Sequence, residues 1–187
     1  MASFDIAYNI SARHEGGYTN NPNDAGNWTG GKVNSGVLVG TNWGIAAPTF
    51  ASYLNRIPTV ADMKNMSAST AKAIYKINFW DKIKLGDIKD QQVANIIFDA
   101  YINQTGGTGW MIRKALGDDV SFKLGMSVGD QVPRINAVAG KTFFEAFKAQ
   151  RKAYYERQNN PTFIKGWLNR LSSFTYETVE TLKKKED

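Results

Sequence analysis

The sequence of 187 residues contains no cysteine and a single histidine, His14. Disulfide bonds, thiolate nucleophiles and cysteine-ligated metals are therefore excluded. One histidine serves a Ser-His-Asp triad only as its base, and no nucleophile-elbow motif accompanies it. A lone histidine also cannot build an ordinary zinc site without help from carboxylates. We expect neither a metal nor an organic cofactor, and carboxylates are the candidate catalytic groups.

Long apolar runs are missing too. No stretch approaches the roughly 18 apolar residues that a membrane-spanning helix needs, so stable membrane insertion is not expected. The first residues, Met1 to Ile6, lack the basic region and the continuous apolar core of a secretory signal.

What the sequence does have is positive charge, with a formal net value of +6. Such a charge predicts attraction to polyanions, and nucleic acid, anionic lipid headgroups and bacterial wall polymers all qualify. The positive residues are scattered without a recognisable nucleic-acid-binding motif, so nucleic acid is not the expected partner. The run Gly30-Gly31-Lys32 lacks the spacing of a phosphate-binding loop.

Apolar periodicity predicts a mainly α fold. The clearest helix is predicted over Asp87 to Thr105, where apolar residues recur at helical spacing, with Gly106 and Gly107 ending it. Further helices are predicted over residues 3–14, 48–55, 60–65 with Thr59 as cap, from a cap at Ser67 or Ser69 to Trp80, and over 127–138, 141–159 and beyond 161. The only convincing strand signal is a small β-hairpin, with arms at residues 32–33 and 37–39 around Asn34-Ser35-Gly36.

No repeat, low-complexity segment or linker divides the chain, and its length suits one domain. We expect one globule in which a catalytic half, residues 1–90, packs against a helical half, residues 91–187.

Two carboxylates stand out near the N-terminus. Glu15 is predicted to lie where the first helix ends at Gly16 and Gly17, beside the negative end of the helix dipole. Such a place disfavours the charged carboxylate, as a general acid working near neutral pH requires. Asp24 follows nine residues later in a turn-rich run. This is the layout of a two-carboxylate glycosidase, although Asp24 is equally suited to an Asx-turn.

The run from His14 to Ile45 resembles family 108 of the glycoside hydrolases, N-acetylmuramidases found in bacteriophage endolysins and bacterial genomes. The family's motif is roughly E-G-G-Y, then N-x-P-x-D-x-G, then T-x-x-G-I. These pieces occur here from Glu15, from Asn20 and from Thr41. Residues 98–106 and 161–170 resemble segments of the helical half usual in these proteins, so the likeness spans about residues 4–171.

The resemblance implies a lysozyme-like helical globule with the small hairpin beside its cleft. It implies hydrolysis of the β-1,4 bond between N-acetylmuramic acid and N-acetylglucosamine in peptidoglycan. Glu15 would be the general acid, Asp24 the second carboxylate and Thr41 the residue that holds the attacking water. Residues 27–40 separate motif pieces that shorter members join directly, which leaves Thr29 as an alternative to Thr41.

Three further residues are candidates for binding sugar. The rings of Tyr18 and Trp43 could pack on the apolar faces of pyranose rings, and the amide of Asn103 could bond to an acetamido group. Aromatic residues serve cores at least as often, so that alternative stays open. Two other functions also stay open: a lytic transglycosylase, which uses one glutamate and closes an anhydro ring, and a non-catalytic wall-binding module.

The resemblance also suggests a setting. We expect a monomer made in the bacterial host cytoplasm, a phage endolysin whose partner is peptidoglycan. With no secretory signal visible, it would depend on a holin or a secretion system to act on the wall in the periplasm or outside.

Overall fold

The computed structural model describes residues 1–12 and 16–177. Within them the chain is mainly helical, as predicted. The α-helices are α1 Phe4–Ser11, α2 Ala47–Leu54, α3 Val60–Lys64, α4 Ala68–Tyr75, α5 Gln91–Asn103, α6 Thr105–Ala115, α7 Val132–Asn136, α8 Gly140–Arg157 and α9 Ile164–Ser172. A π-helix, Lys76–Trp80, continues α4, and 3-10 helices form at Ala25–Asn27, Asp81–Ile83, Leu85–Asp87 and Gly129–Gln131. None of the described helices has the length and apolar character to cross a membrane.

Backbone contacts group the chain into two units. The helical unit comprises Met1–Ala7 and Trp80–Asp187, and the loop-rich unit is Tyr8–Phe79. The division near residue 90 that the sequence suggested stays a prediction.

Helix α5 forms the centre of the helical unit. It begins after Asp90, whose side chain accepts hydrogen bonds from the main-chain N–H groups of Gln92 and Val93. Every residue from Val93 to Tyr101 is buried, and α6 and α8 pack against this helix. The predicted start at residue 87 was early because Leu85–Asp87 forms a separate 3-10 turn.

The prediction that Gly106 and Gly107 end α5 was wrong. Helix α5 ends at Asn103, and both Gly106 and Gly107 lie inside α6. A Cβ atom on Gly107 would come within 2.5 Å of Cε2 of Tyr154 on α8. Glycine is present here because it lets α6 approach α8 closely.

Helix starts in the loop-rich unit follow the predicted chemistry. Pro48 lies in the first turn of α2. Thr59 and Asp62 form a reciprocal capping box at α3, and Ser67 caps α4 by accepting from the N–H of Thr70. These caps satisfy backbone N–H groups that lack a partner in the first helical turn.

The chain reverses direction at Asn34 to Gly36 as predicted, but the arms of the hairpin differ. The N–H of Thr29 donates to the carbonyl of Val37 at 3.0 Å. Trp28 pairs with Leu38 in an isolated antiparallel bridge. The first arm is therefore residues 28–30, and residues 32–33 belong to the wide turn, where Asn34 and Gly36 take positive φ.

Candidate functional site

The candidate site is built from residues 16–45 of the loop-rich unit. Glu15, the predicted general acid, and His14 lie outside the described residues. The site is therefore described from the residues that follow them.

Asp24 is the last residue of a tight turn, closed by its N–H, which donates to the carbonyl of Asn21 at 3.1 Å. It is exposed, and it caps the 3-10 helix Ala25–Asn27 with its Oδ1 atom accepting from the N–H of Gly26 at 2.9 Å. Asn21 makes a similar turn just before, because its Oδ1 accepts from the N–H of Asn23 at 3.0 Å. Asp24 thus forms the expected Asx-turn, and its carboxylate still faces solvent.

Thr41 lies beside Asp24. Its main chain pairs with Thr19 through two hydrogen bonds of 2.9 and 2.8 Å, and its Oγ1 lies 3.4 Å from the carbonyl oxygen of Gly26. A Cβ atom on Gly26 would be 3.3 Å from Asp24 Oδ1 and 3.9 Å from Thr41 Oγ1. The carboxylate and the hydroxyl therefore flank the same side of Gly26.

Thr29, the alternative to Thr41, uses its hydroxyl within its own loop. Its Oγ1 accepts a hydrogen bond from the N–H of Val37 at 2.9 Å. This bond helps to close the hairpin. Of the two threonines, Thr41 is the one that the structure brings next to the Asp24 turn.

The ring of Tyr18 lies along the segment that leads into Thr41. Its hydroxyl donates to the carbonyl of Val39 at 3.2 Å, and Gly40, with φ of 92°, packs against the ring. The ammonium of Lys64 lies 5.1 Å from the ring centroid, within cation–π distance. The Tyr18 ring is half-buried and already has two neighbours from its own unit.

Trp43 occupies a strained turn. Its φ is 54° and that of Gly44 is 70°, and the N–H of Ile45 donates to the carbonyl of Asn42 at 2.8 Å. These values define a type I′ turn, in which a bulky residue is rare at a positive φ. Trp43 is held there by its Nε1, which donates to the Met66 carbonyl at 2.8 Å.

Asn103 belongs to the helical unit, where it is the last residue of α5. It is exposed, and its Nδ2 donates to the main-chain carbonyl of Asp99 at 2.8 Å. Its candidate role in binding sugar stays a prediction.

Asn27 was not singled out from the sequence, although it is completely buried in the same loop as Asp24. Its Nδ2 donates to the carbonyl of Asn21 at 3.0 Å. An asparagine between glycine and tryptophan reads as an ordinary loop residue, so the sequence carried no signal of this burial.

Acidic and histidine side chains do not cluster in threes as metal ligands anywhere in residues 1–12 and 16–177. The carboxylates whose pKa is clearly lowered are not among the candidate site residues. Hydrogen bonds from Arg56 and Thr59 lower the pKa of Asp62, and the arginines at positions 134 and 113 lower that of Asp118.

Comparison with known proteins identifies the family to which the chain belongs. The sequence model described as Glycosyl hydrolase 108 matches residues 8–105, just over half of the chain. Comparison with curated proteins gives no match. The structure of Brucella abortus SagA is similar, with a TM-score of 0.64 and 24% identity over 94% of this chain and 97% of that one. At this identity the likeness shows a shared fold. By the family match, this chain belongs to the glycosyl hydrolase 108 family and is a hydrolase of peptidoglycan.

Proposed function

We propose that the protein is an N-acetylmuramidase, which hydrolyses the β-1,4 bond between N-acetylmuramic acid and N-acetylglucosamine. One observation carries the proposal. The carboxylate of Asp24 and the hydroxyl of Thr41 flank one side of Gly26, in a segment that the family match covers. An exposed carboxylate beside a hydroxyl is suited to hold and deprotonate a water molecule.

In the proposed reaction, Glu15 donates a proton to the glycosidic oxygen as the bond to the leaving sugar breaks. Water attacks the anomeric carbon from the opposite face, held by the hydroxyl of Thr41, and its proton passes to Asp24. Asp24 Oδ1 is engaged by the Gly26 N–H. Oδ2 has no hydrogen bond within the described part of the chain, so it is the oxygen available to take the proton. The product is a reducing N-acetylmuramic acid end.

We propose the rings of Tyr18 and Trp43 as substrate contacts within the loop-rich unit. Asn103, in the helical unit, is a separate candidate for binding sugar. The net charge of +6 would hold the enzyme on an anionic wall, an attraction that salt should weaken. Phage lysis, with access through a holin, is the setting we propose.

The test is mass spectrometry of fragments from purified peptidoglycan digested by the wild type, Glu15→Gln and Asp24→Asn. We expect reducing N-acetylmuramic ends from the wild type and a loss of about 100-fold or more in either variant, the usual size of a general acid or base contribution. Asp24→Asn retains an acceptor oxygen for the Gly26 N–H, so its turn should survive.

Matched controls make the same chemical changes elsewhere. Glu145→Gln lies on the exposed side of α8 and Asp119→Asn in an exposed loop, and both should keep wild-type activity. Fragments with anhydro-muramic ends would show that the reaction is transglycosylation, not hydrolysis, and would argue against a role for Asp24 as base. Intact peptidoglycan after treatment with the wild type would argue against the muramidase and favour a wall-binding module.

A further inference from the structure

The loop that carries Asp24 is tied to the segment that carries Thr41 through one buried residue. We propose that Asn27 is a positioning residue, which sets the placement of the Asp24 carboxylate relative to the Thr41 hydroxyl. This inference rests on the proposed function, because it assigns Asn27 a role through those two residues.

Asn27 is bonded on both sides. Towards the turn, its main-chain N–H donates to the carbonyl of Asp24 at 3.1 Å and its Nδ2 donates to the carbonyl of Asn21 at 3.0 Å. Towards the other segment, its carbonyl accepts from the N–H groups of Val39 and Gly40 at 3.0 and 3.1 Å. Thr41 is the next residue in the chain after Gly40. These four hydrogen bonds, three from the main chain and one from the side chain, fix the turn against the segment leading to Thr41.

The side chain of Asn27 is not simply filling space. It is fully buried, and within the described residues its Oδ1 has no hydrogen-bond partner. A buried acceptor without a partner is destabilising, so an apolar side chain would suit packing better. The asparagine is explained by its Nδ2 donor, which holds the start of the Asp24 turn.

A second hydrogen bond, more exposed to solvent, acts on the same turn. The Nε1 of Trp28 donates to the carbonyl of Pro22 at 2.8 Å. Trp28 is half-buried, and Trp28→Phe removes this donor while it keeps an aromatic ring at the position.

The experiment measures kcat and KM on soluble peptidoglycan fragments for the wild type, Asn27→Ala and Trp28→Phe, with the melting temperature of each. Displacement of catalytic groups by about 1 Å can cost around 100-fold in rate. We therefore expect a fall in kcat of about 10- to 100-fold for Asn27→Ala and about threefold for Trp28→Phe. KM should stay within about twofold in both, because neither side chain is placed against the substrate.

Thr59→Ala is the matched control for loss of stability. It breaks the capping box of α3 in the same unit, outside the Asp24 loop. Its melting temperature should fall while the kcat of folded protein stays at the wild-type value.

Asp24→Asn, measured alongside, separates the two hypotheses. In its background Asn27→Ala should cause no further loss, because the positioned carboxylate is already gone. Full activity of Asp24→Asn would overturn both the base role and the positioning role. Loss in Asp24→Asn with wild-type kcat in folded Asn27→Ala would overturn the positioning role alone. If Asn27→Ala does not fold, unchanged kcat in Trp28→Phe overturns it instead.

Discussion

The helical unit and the loop-rich unit are stabilised by different means. In the helical unit the centre of α5 is buried, and the carboxylate of Asp99 is enclosed with Arg151, both side chains being 0% exposed. In the loop-rich unit the candidate site, residues 16–45, is largely exposed. Its conformation depends on backbone hydrogen bonds and on residues with positive φ. Substitutions in the buried centre of the helical unit should therefore change the free energy of unfolding, and substitutions in the candidate site should change activity more than stability.

The largest effect is expected at Asp99, which tests the first half of this comparison. Its Oδ2 lies 2.6 Å from Arg151 Nη2 and its Oδ1 lies 2.7 Å from Arg170 Nη2. Asp99→Asn leaves the buried charge of Arg151 without a counterion. Because such a loss costs about 3–5 kcal/mol in the free energy of unfolding, we expect a large drop in the guanidinium midpoint.

Asp118 provides the matched control. It also bonds two arginines, Arg113 at 2.8 Å and Arg134 at 2.6 Å, but their side chains are 35% and 45% exposed. Water solvates both arginines when the carboxylate is removed. Asp118→Asn should therefore shift the midpoint far less than Asp99→Asn. Equal shifts would show that burial does not distinguish the two clusters.

In both units, local signals in the sequence predicted the structure, and contacts between distant residues were missed. Helix caps such as Thr59 and the periodicity of α5 are local signals, and both were confirmed. The packing role of Gly107 depends on Tyr154, 47 positions along the chain, so no local pattern could show it. The hairpin arms depend likewise on bonds between residues 28–30 and 35–38.

The site was predictable in part for the same reason. The motif that resembles the family supplied Asp24 and Thr41 as separate residues, and only the fold shows that they flank Gly26. Burial of Asn27 follows from bonds to a segment 12 and 13 residues away, which sequence spacing alone does not predict. Glu15 lies outside the described residues, so its role stays a prediction.

Trp43 tests the second half of the comparison, with an intermediate effect. A left-handed conformation costs most residues about 1–2 kcal/mol. Asparagine tolerates it better than alanine, because its short polar side chain can form a hydrogen bond to nearby main chain. Trp43→Asn should therefore be more stable than Trp43→Ala by about 1 kcal/mol, measured by urea unfolding. Both lose the ring, so if the ring binds sugar, KM should rise equally in both. A higher KM in Trp43→Ala alone would assign the effect to the turn.

The smallest effect is expected at the edge of the helical unit, where Tyr176 donates to Asp90 Oδ2 at 2.6 Å. This hydrogen bond is the main cause that raises the pKa of Tyr176 from 10.0 to about 12. The folded state thus favours the neutral phenol, whereas the unfolded chain ionises near pH 10. The resulting stability is complete below pH 10 and is lost as the pH rises towards 12. The difference in melting temperature between the wild type and Tyr176→Phe should shrink across this range, which thermal unfolding at pH 9, 10, 11 and 12 would measure. A difference that stays constant with pH would contradict the assignment.

Because Tyr176 lies in the helical unit, Tyr176→Phe should leave hydrolysis at neutral pH unchanged, which separates stability from activity as the comparison requires.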